Sequence, residues 1–230
     1  LGVAKELSRE KIYEADVHIA AGLPLTWVKN QRESFREYLM KNPDVTFRYK
    51  KNLYKIHIAG CSIYPQGYAA VIGKLGEMNG VNMLADIGNG TVNIMYINNR
   101  KPVESKCWTE KLGVNQCVIA VQNAVLDKFG AKIDETIIEN IIRHGKDNIG
   151  KKYLDCITEQ VRIYAEKILE VLEKYEYNSE LMRLYIAGGG VSIMKNFAEL
   201  DFENIVLIED ICAAAKGYET ICLNSLRRGK

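Results

Sequence analysis

The run Leu84-Ala85-Asp86-Ile87-Gly88-Asn89-Gly90-Thr91-Val92-Asn93-Ile94 concentrates residue types suited to binding an anion. An acidic residue closes an apolar strand, a glycine-rich turn follows, and a second strand returns. Glycines let consecutive backbone N–H groups converge on phosphate oxygens, and such a concavity favours negative charge. The Thr91 hydroxyl adds a donor. Asp86 repels a phosphate, so a cation or a water must stand between them. A magnesium-bound nucleotide supplies both, since magnesium keeps waters and takes few carboxylates. The competing reading is a β-hairpin in which Gly-Asn-Gly only turns the chain.

A second stretch, Ile186-Ala187-Gly188-Gly189-Gly190-Val191, leads out of a strand into a short helix. Three glycines in a row are entropically costly, so something must approach this backbone closely. An adenine or ribose face is one candidate and a tight strand-to-helix turn is the other. The pattern is neither a Walker loop nor a dinucleotide fingerprint, because no Gly-Lys-Ser/Thr follows and the glycine order differs. Gln66 lies in the break Tyr64-Pro65-Gln66-Gly67, where a neutral amide can orient a water toward a terminal phosphate; a solvated loop glutamine is the alternative. Lys146, in the polar stretch from Arg143 to Lys152, can meet a phosphate or ribose or simply face solvent.

The elements that would position these residues follow from periodicity and breakers. Leu1, Ala4, Leu7 and Ile12 fall near helical spacing, and the chain opens at Leu1 rather than Met. Ala15 to Ala21 alternates as a strand and ends at Gly22-Leu23-Pro24. Thr26 is placed to cap a helix carrying Trp27, Phe35, Tyr38 and Leu39. Val45 to Tyr49 and Leu53 to Ile63 read as strands, and Tyr68 to Met78 as a helix closed by Asn79-Gly80. Strands are expected over 83–87, 92–97 and 102–108, with Asn98-Asn99 as the hairpin turn between the last two. Helices follow over 114–129, 133–143 and 154–175; in the last, Ile157, Val161, Tyr164, Ala165, Ile168, Leu172 and Tyr175 keep 3.6-residue spacing. Strands at 184–187 and 205–208 and a helix over 211–226 complete an α/β plan with a mixed sheet.

Composition bounds the function. The chain has 230 residues, 47% hydrophobic and 26% charged, as in a globular protein of one large or two small domains. A net charge of +2 argues against a broad surface for nucleic acid, so no direct nucleic-acid binding is expected. No apolar run reaches the ~18 residues of a membrane span, so no membrane partner is expected. The six cysteines are scattered without a CxxC pair, and the three histidines lie far from paired cysteines. That pattern reads as free thiols in a reducing cytoplasm without structural zinc.

Taken in order, these segments resemble the actin-like ATPase superfamily, and within it the plasmid-segregation actins of the ParM (StbA) type. Ala20 to Pro24 is similar to the Gly-Leu-Pro strand end of the family's first domain. Ile63 to Gly67 resembles the segment carrying the water-orienting Glu or Gln, which gives that role to Gln66. Asp86 to Thr91 looks like the second phosphate loop and Ile186 to Val191 like the adenosine motif. Ala214 to Tyr218 resembles the closing helix, and Lys111 to Val114 with Arg143 to Asn148 resemble segments lining the cleft. Asn89 and Asn93 depart from the usual Gly and Asp. Nothing before Ala15 resembles the family's first phosphate loop, which points to residues upstream of Leu1.

The resemblance implies two ribonuclease-H-like domains, residues 1–80 with 210–230 and residues 81–209, with a nucleotide cleft between them. It implies ATP and magnesium as cofactors, with catalytic roles for Gln66 and for Asp86, the latter holding magnesium through water. Gly88, Asn89, Gly90, Thr91, Gly113, Lys146, Gly188, Gly189 and Gly190 would contact the nucleotide. The expected partners are further copies of the chain, head to tail, and a DNA-binding adaptor of a partition system. The alternatives are a filament or scaffold protein without hydrolysis, and a sugar or acetate kinase of the same superfamily.

Overall fold

The computed structural model describes residues 2–200 and 202–228, without the side chains of 25, 26, 202 and 228. Leu1 and the Thr26 side chain therefore lie outside the described residues. The chain forms two compact units, Leu1–Pro65 with Tyr218–Lys230, and Gln66–Gly217. Segment 66–80, expected with the first unit, groups with the second. The Tyr68 hydroxyl donates to the Arg100 carbonyl at 2.7 Å, and a methyl on Gly217 would stand 1.9 Å from the Ala69 carbonyl oxygen. Residues 210–217 are drawn into the second unit by the same close approach.

In the first unit, helix α1 (Gly2–Arg9) precedes β1 (Glu14–Leu23), α2 (Leu25–Met40), β2 (Asp44–Tyr49) and β3 (Asn52–Pro65). The strand order is β1-β3-β2, with β1 parallel and β2 antiparallel to β3. Helix α2 starts at Leu25 with Pro24 in the N-cap position. Leu23, Val28, Cys61 and Ile63 are buried together, with Phe35 and Leu39 of α2 packed against them.

The second unit opens with the expected helix, which takes the 3-10 form over Tyr68–Glu77. Its interior Gly73 and Gly76 lower α-helix propensity, because glycine loses the most backbone freedom on ordering. Strands β4 (Val81–Ile87), β5 (Val92–Asn98) and β6 (Lys101–Glu110) follow, then helices α3 (Val114–Phe129), α4 (Glu135–His144) and α5 (Lys151–Lys174). Strand β7 (Arg183–Ala187), helix α6 (Val191–Phe197), strand β8 (Ile205–Leu207) and helix α7 (Ala213–Arg228) end the chain. The β5–β6 turn is centred on Asn99 and Arg100, both at positive φ, because Asn98 pairs with Lys101. That is one residue later than the Asn98-Asn99 expectation.

The five strands take the order β6-β5-β4-β7-β8. Strands β4, β7 and β8 run parallel, while β5 and β6 run antiparallel to their neighbours. Central β4 is paired on both edges and almost wholly buried, as its near-continuous apolar run requires. Side chains alternate across a strand. Met83, Ala85 and Ile87 accordingly enter one core with Val118, Val121 and Ile157 of the helices, and Leu84 and Asp86 take the opposite face.

Candidate functional site

Asp86 stands one residue from the end of β4, in register with Asn93 of β5 and Ala187 of β7. Burial pushes its carboxyl above the usual carboxylate range, because desolvation disfavours the charged form. Two glycines bracket it. A methyl on Gly67 would lie 3.3 Å from Asp86 Cβ and 3.5 Å from Oδ2, and one on Gly188 would lie 2.8 Å from Oδ1. Both glycines hold positive φ, 77° and 85°, which other residues rarely adopt. The Gln66-Gly67 turn and the head of the triple glycine therefore close on the same carboxylate. Gln66 itself accepts the Tyr68 N–H on its carbonyl at 2.9 Å.

The loop after Asp86 is held from one side. The Val114 N–H donates to the Gly88 carbonyl at 3.0 Å and the Asn115 N–H to the Asn89 carbonyl at 2.9 Å. In a trans peptide the C=O and the next N–H point in opposite directions. Anchoring the carbonyls of 88 and 89 on the first turn of α3 thus turns the N–H groups of Asn89 and Gly90 the other way. The Gly88 N–H closes the turn on the Thr91 carbonyl at 2.8 Å, but Asn89, Gly90 and Thr91 donate no backbone bond among the described residues. Adjacent N–H groups facing one way form an anion-binding nest.

Gly113 makes this arrangement possible, since a methyl there would stand 2.3 Å from the Asn89 carbonyl oxygen. The triple glycine packs beneath the loop. The Gly190 N–H donates to the Ile87 carbonyl at 3.0 Å, and a methyl on Gly190 would stand 2.1 Å from Ile87 Cγ2. A methyl on Gly189 would lie 3.9 Å from Val114 Cγ2, an ordinary contact. Asp86, Gly88 to Thr91, Gly113 and Gly188 to Gly190 are thereby brought together, and Gln66 is joined to them through Gly67.

Lys146 is not joined to them in this way. It is exposed in the turn after α4 and forms no hydrogen bond or ion pair with the glycine loops among the described residues. The last turn of α4, just before it, does meet the helix after the triple glycine, because Asn196 of α6 donates to the Ile142 and Arg143 carbonyls at 2.9 and 3.1 Å. Sequence reasoning missed Asn196, Gln116 and Tyr164. Gln116 carries a readable signal as the third helical residue after Gly113; its Oε1 accepts the Gly113 N–H at 3.1 Å, half of a capping box. Tyr164 reads only as one more core position of α5.

Residues 84–199, half of the chain, match the family described as archaeal actin homologue MreB-like, C-terminal. The chain belongs to this family of actin homologues. Among solved structures, the archaeal actin homologue Ta0583 superposes with a TM-score of 0.77 at 20% identity, over 96% of this chain and 75% of that one. Bacillus thuringiensis ParM with ATP gives 0.71 at 16% identity, over 98% and 72%. The Alp12 filament structure gives 0.70 at 15%, over 97% and 73%. The fold is thus the actin-like one that ParM shares, with two mixed sheets flanked by helices. No curated protein matches the sequence. Among the described residues no helix is long and apolar enough to cross a membrane.

Proposed function

We propose that this protein is an actin-like ATPase that assembles with itself in the presence of ATP and magnesium. The observation that carries the reading is the nest. The first turn of α3 holds the Gly88 and Asn89 carbonyls and leaves the N–H groups beyond them directed together, next to a half-buried carboxylate. Related folds support the choice of nucleotide, since Ta0583 has been solved in complex with ADP and B. thuringiensis ParM with ATP.

In this reading the N–H groups of Asn89 and Gly90, with the Thr91 hydroxyl, receive phosphate oxygens. Asp86 supplies one carboxylate to a hydrated magnesium. Among the described residues no group of three or more His, Cys, Asp or Glu could hold a metal ion, and a magnesium completed by water and phosphate needs none. Magnesium, when bound, neutralises phosphate charge. Gln66, beside Gly67 and hence beside Asp86, orients the attacking water. Gly188 to Gly190 and Gly113 line the nucleoside side, and Lys146, exposed on the turn after α4, offers its charge to a phosphate or ribose. Head-to-tail contact that does not close generates a filament. Coupled to a DNA-binding adaptor, such a filament in the cytoplasm would segregate DNA, as in a plasmid partition system.

The test is light scattering and pelleting with ATP-magnesium, run beside phosphate release. ATP-dependent scattering that decays as phosphate appears is expected. Gln66→Ala should keep nucleotide binding and slow phosphate release at least tenfold (about 1.4 kcal/mol in the barrier). Scattering indifferent to nucleotide, with no phosphate released, would refute the reading.

A further inference from the structure

The loop from Gly88 to Thr91 is held by α3, and the start of α3 is itself held by a buried hydroxyl. Tyr164 lies on α5 and is 6% exposed. Its hydroxyl donates to the Gly113 carbonyl at 3.0 Å, across 51 residues of sequence. The same carbonyl receives the Gln116 and Cys117 N–H groups at 3.2 and 3.4 Å, so the phenol makes the shortest of the three bonds. On the other side of Gly113, its N–H is taken by Gln116 Oε1. Side chains therefore fix the peptide units on both sides of Gly113. The residue has no room for a side chain, because a methyl there would stand 2.3 Å from the Asn89 carbonyl oxygen and 2.6 Å from the Gly90 carbonyl carbon. Burial pushes the phenol above its ordinary range, so it stays a donor at neutral pH.

A phenylalanine ring would fill the same core. Tyr185 makes the contrast, being fully buried with a hydroxyl that has no partner among the described residues. The Tyr164 hydroxyl, by comparison, is spent on the one carbonyl that begins the helix gripping the anion loop.

We propose that Tyr164 is a positioning residue for the nest: acting through Gly113, its hydroxyl fixes the first turn of α3 and so keeps the Asn89 and Gly90 N–H groups aimed at a bound phosphate. The inference rests on the reading of residues 88–91 as a phosphate loop. Tyr164→Phe removes the hydroxyl and keeps the ring, and Tyr185→Phe serves as the control for losing a buried hydroxyl. Two readouts on the full chain separate the possibilities: hydrogen exchange of the Gly88, Val114 and Asn115 amides without nucleotide, and affinity for ADP with magnesium.

Tyr164→Phe should speed exchange at those amides about 3- to 10-fold, as expected for one net hydrogen bond, and weaken ADP by a similar factor. Tyr185→Phe should do neither. Unchanged exchange at those amides in Tyr164→Phe overturns the proposal, as does an increase spread evenly over the second unit. If the unaltered chain binds no nucleotide, the phosphate reading fails, and the exchange comparison still decides whether Tyr164 holds the loop.

Discussion

The two glycine turns beside Ile87 use their glycines for different ends. In the second turn, Gly188 and Gly190 are jammed: added methyls would stand 2.4 Å from the Ile87 carbonyl oxygen and 2.1 Å from Ile87 Cγ2. These glycines are demanded by the packing of the protein itself. In the first turn, a methyl on Gly88 would meet only the Thr91 carbonyl oxygen at 3.4 Å, and one on Gly90 would meet nothing within 4 Å. Neither residue has positive φ. Among the described residues nothing packs where a side chain at position 90 would stand, which is the room the proposed phosphate needs. Packing explains the second turn, and the proposed phosphate would explain the first.

The largest effect should come from filling a jammed position. Gly190→Ala drives a methyl into Ile87, whose side chain is fully buried beside the helices. Overpacking of this kind costs about 3 kcal/mol, read as a lower urea midpoint at unchanged slope. Full retention of the midpoint would show that the second turn is as open as the first.

A middle-sized effect separates the charge at the loop from its backbone. Burial raises the Asp86 pKa, so the native state holds its proton more tightly than the unfolded chain. Native stability therefore falls as pH rises from the ordinary aspartate value through the raised one. Asp86→Asn should match the original protein below that window and exceed it in urea midpoint above it, while losing magnesium-dependent nucleotide binding. A variant equally stable with the original at neutral pH would mean that Asp86 carries no desolvation cost.

Much of this difference was beyond the reach of sequence. The strand–turn–strand from Leu84 to Ile94, the triple glycine after Ala187 and the 3.6-residue period of α5 are local patterns, and local patterns can be read. Whether a glycine is jammed or open depends on what another segment places beside it. Gly113 meets Asn89, Gly217 meets Ala69, and Gly67 meets Asp86, each through tertiary packing. Tyr164 kept a perfect helical period and so gave no sign that its hydroxyl reaches the N-cap of α3. The 3-10 helix at Tyr68–Glu77 and the one-residue shift of the β5–β6 turn reflect hydrogen bonding that composition alone does not fix.

The smallest effect on stability, and the sharpest on function, belongs to Gly90→Ala. With open space around the new methyl, the unfolding free energy should stay within about 0.5 kcal/mol of the original. Titration of ADP with magnesium into both proteins decides the matter. Saturable binding by the original and at least tenfold weaker binding by Gly90→Ala are expected, at equal fold stability. Equal affinity in the two proteins would contradict this, because the space in front of those N–H groups would then hold no phosphate.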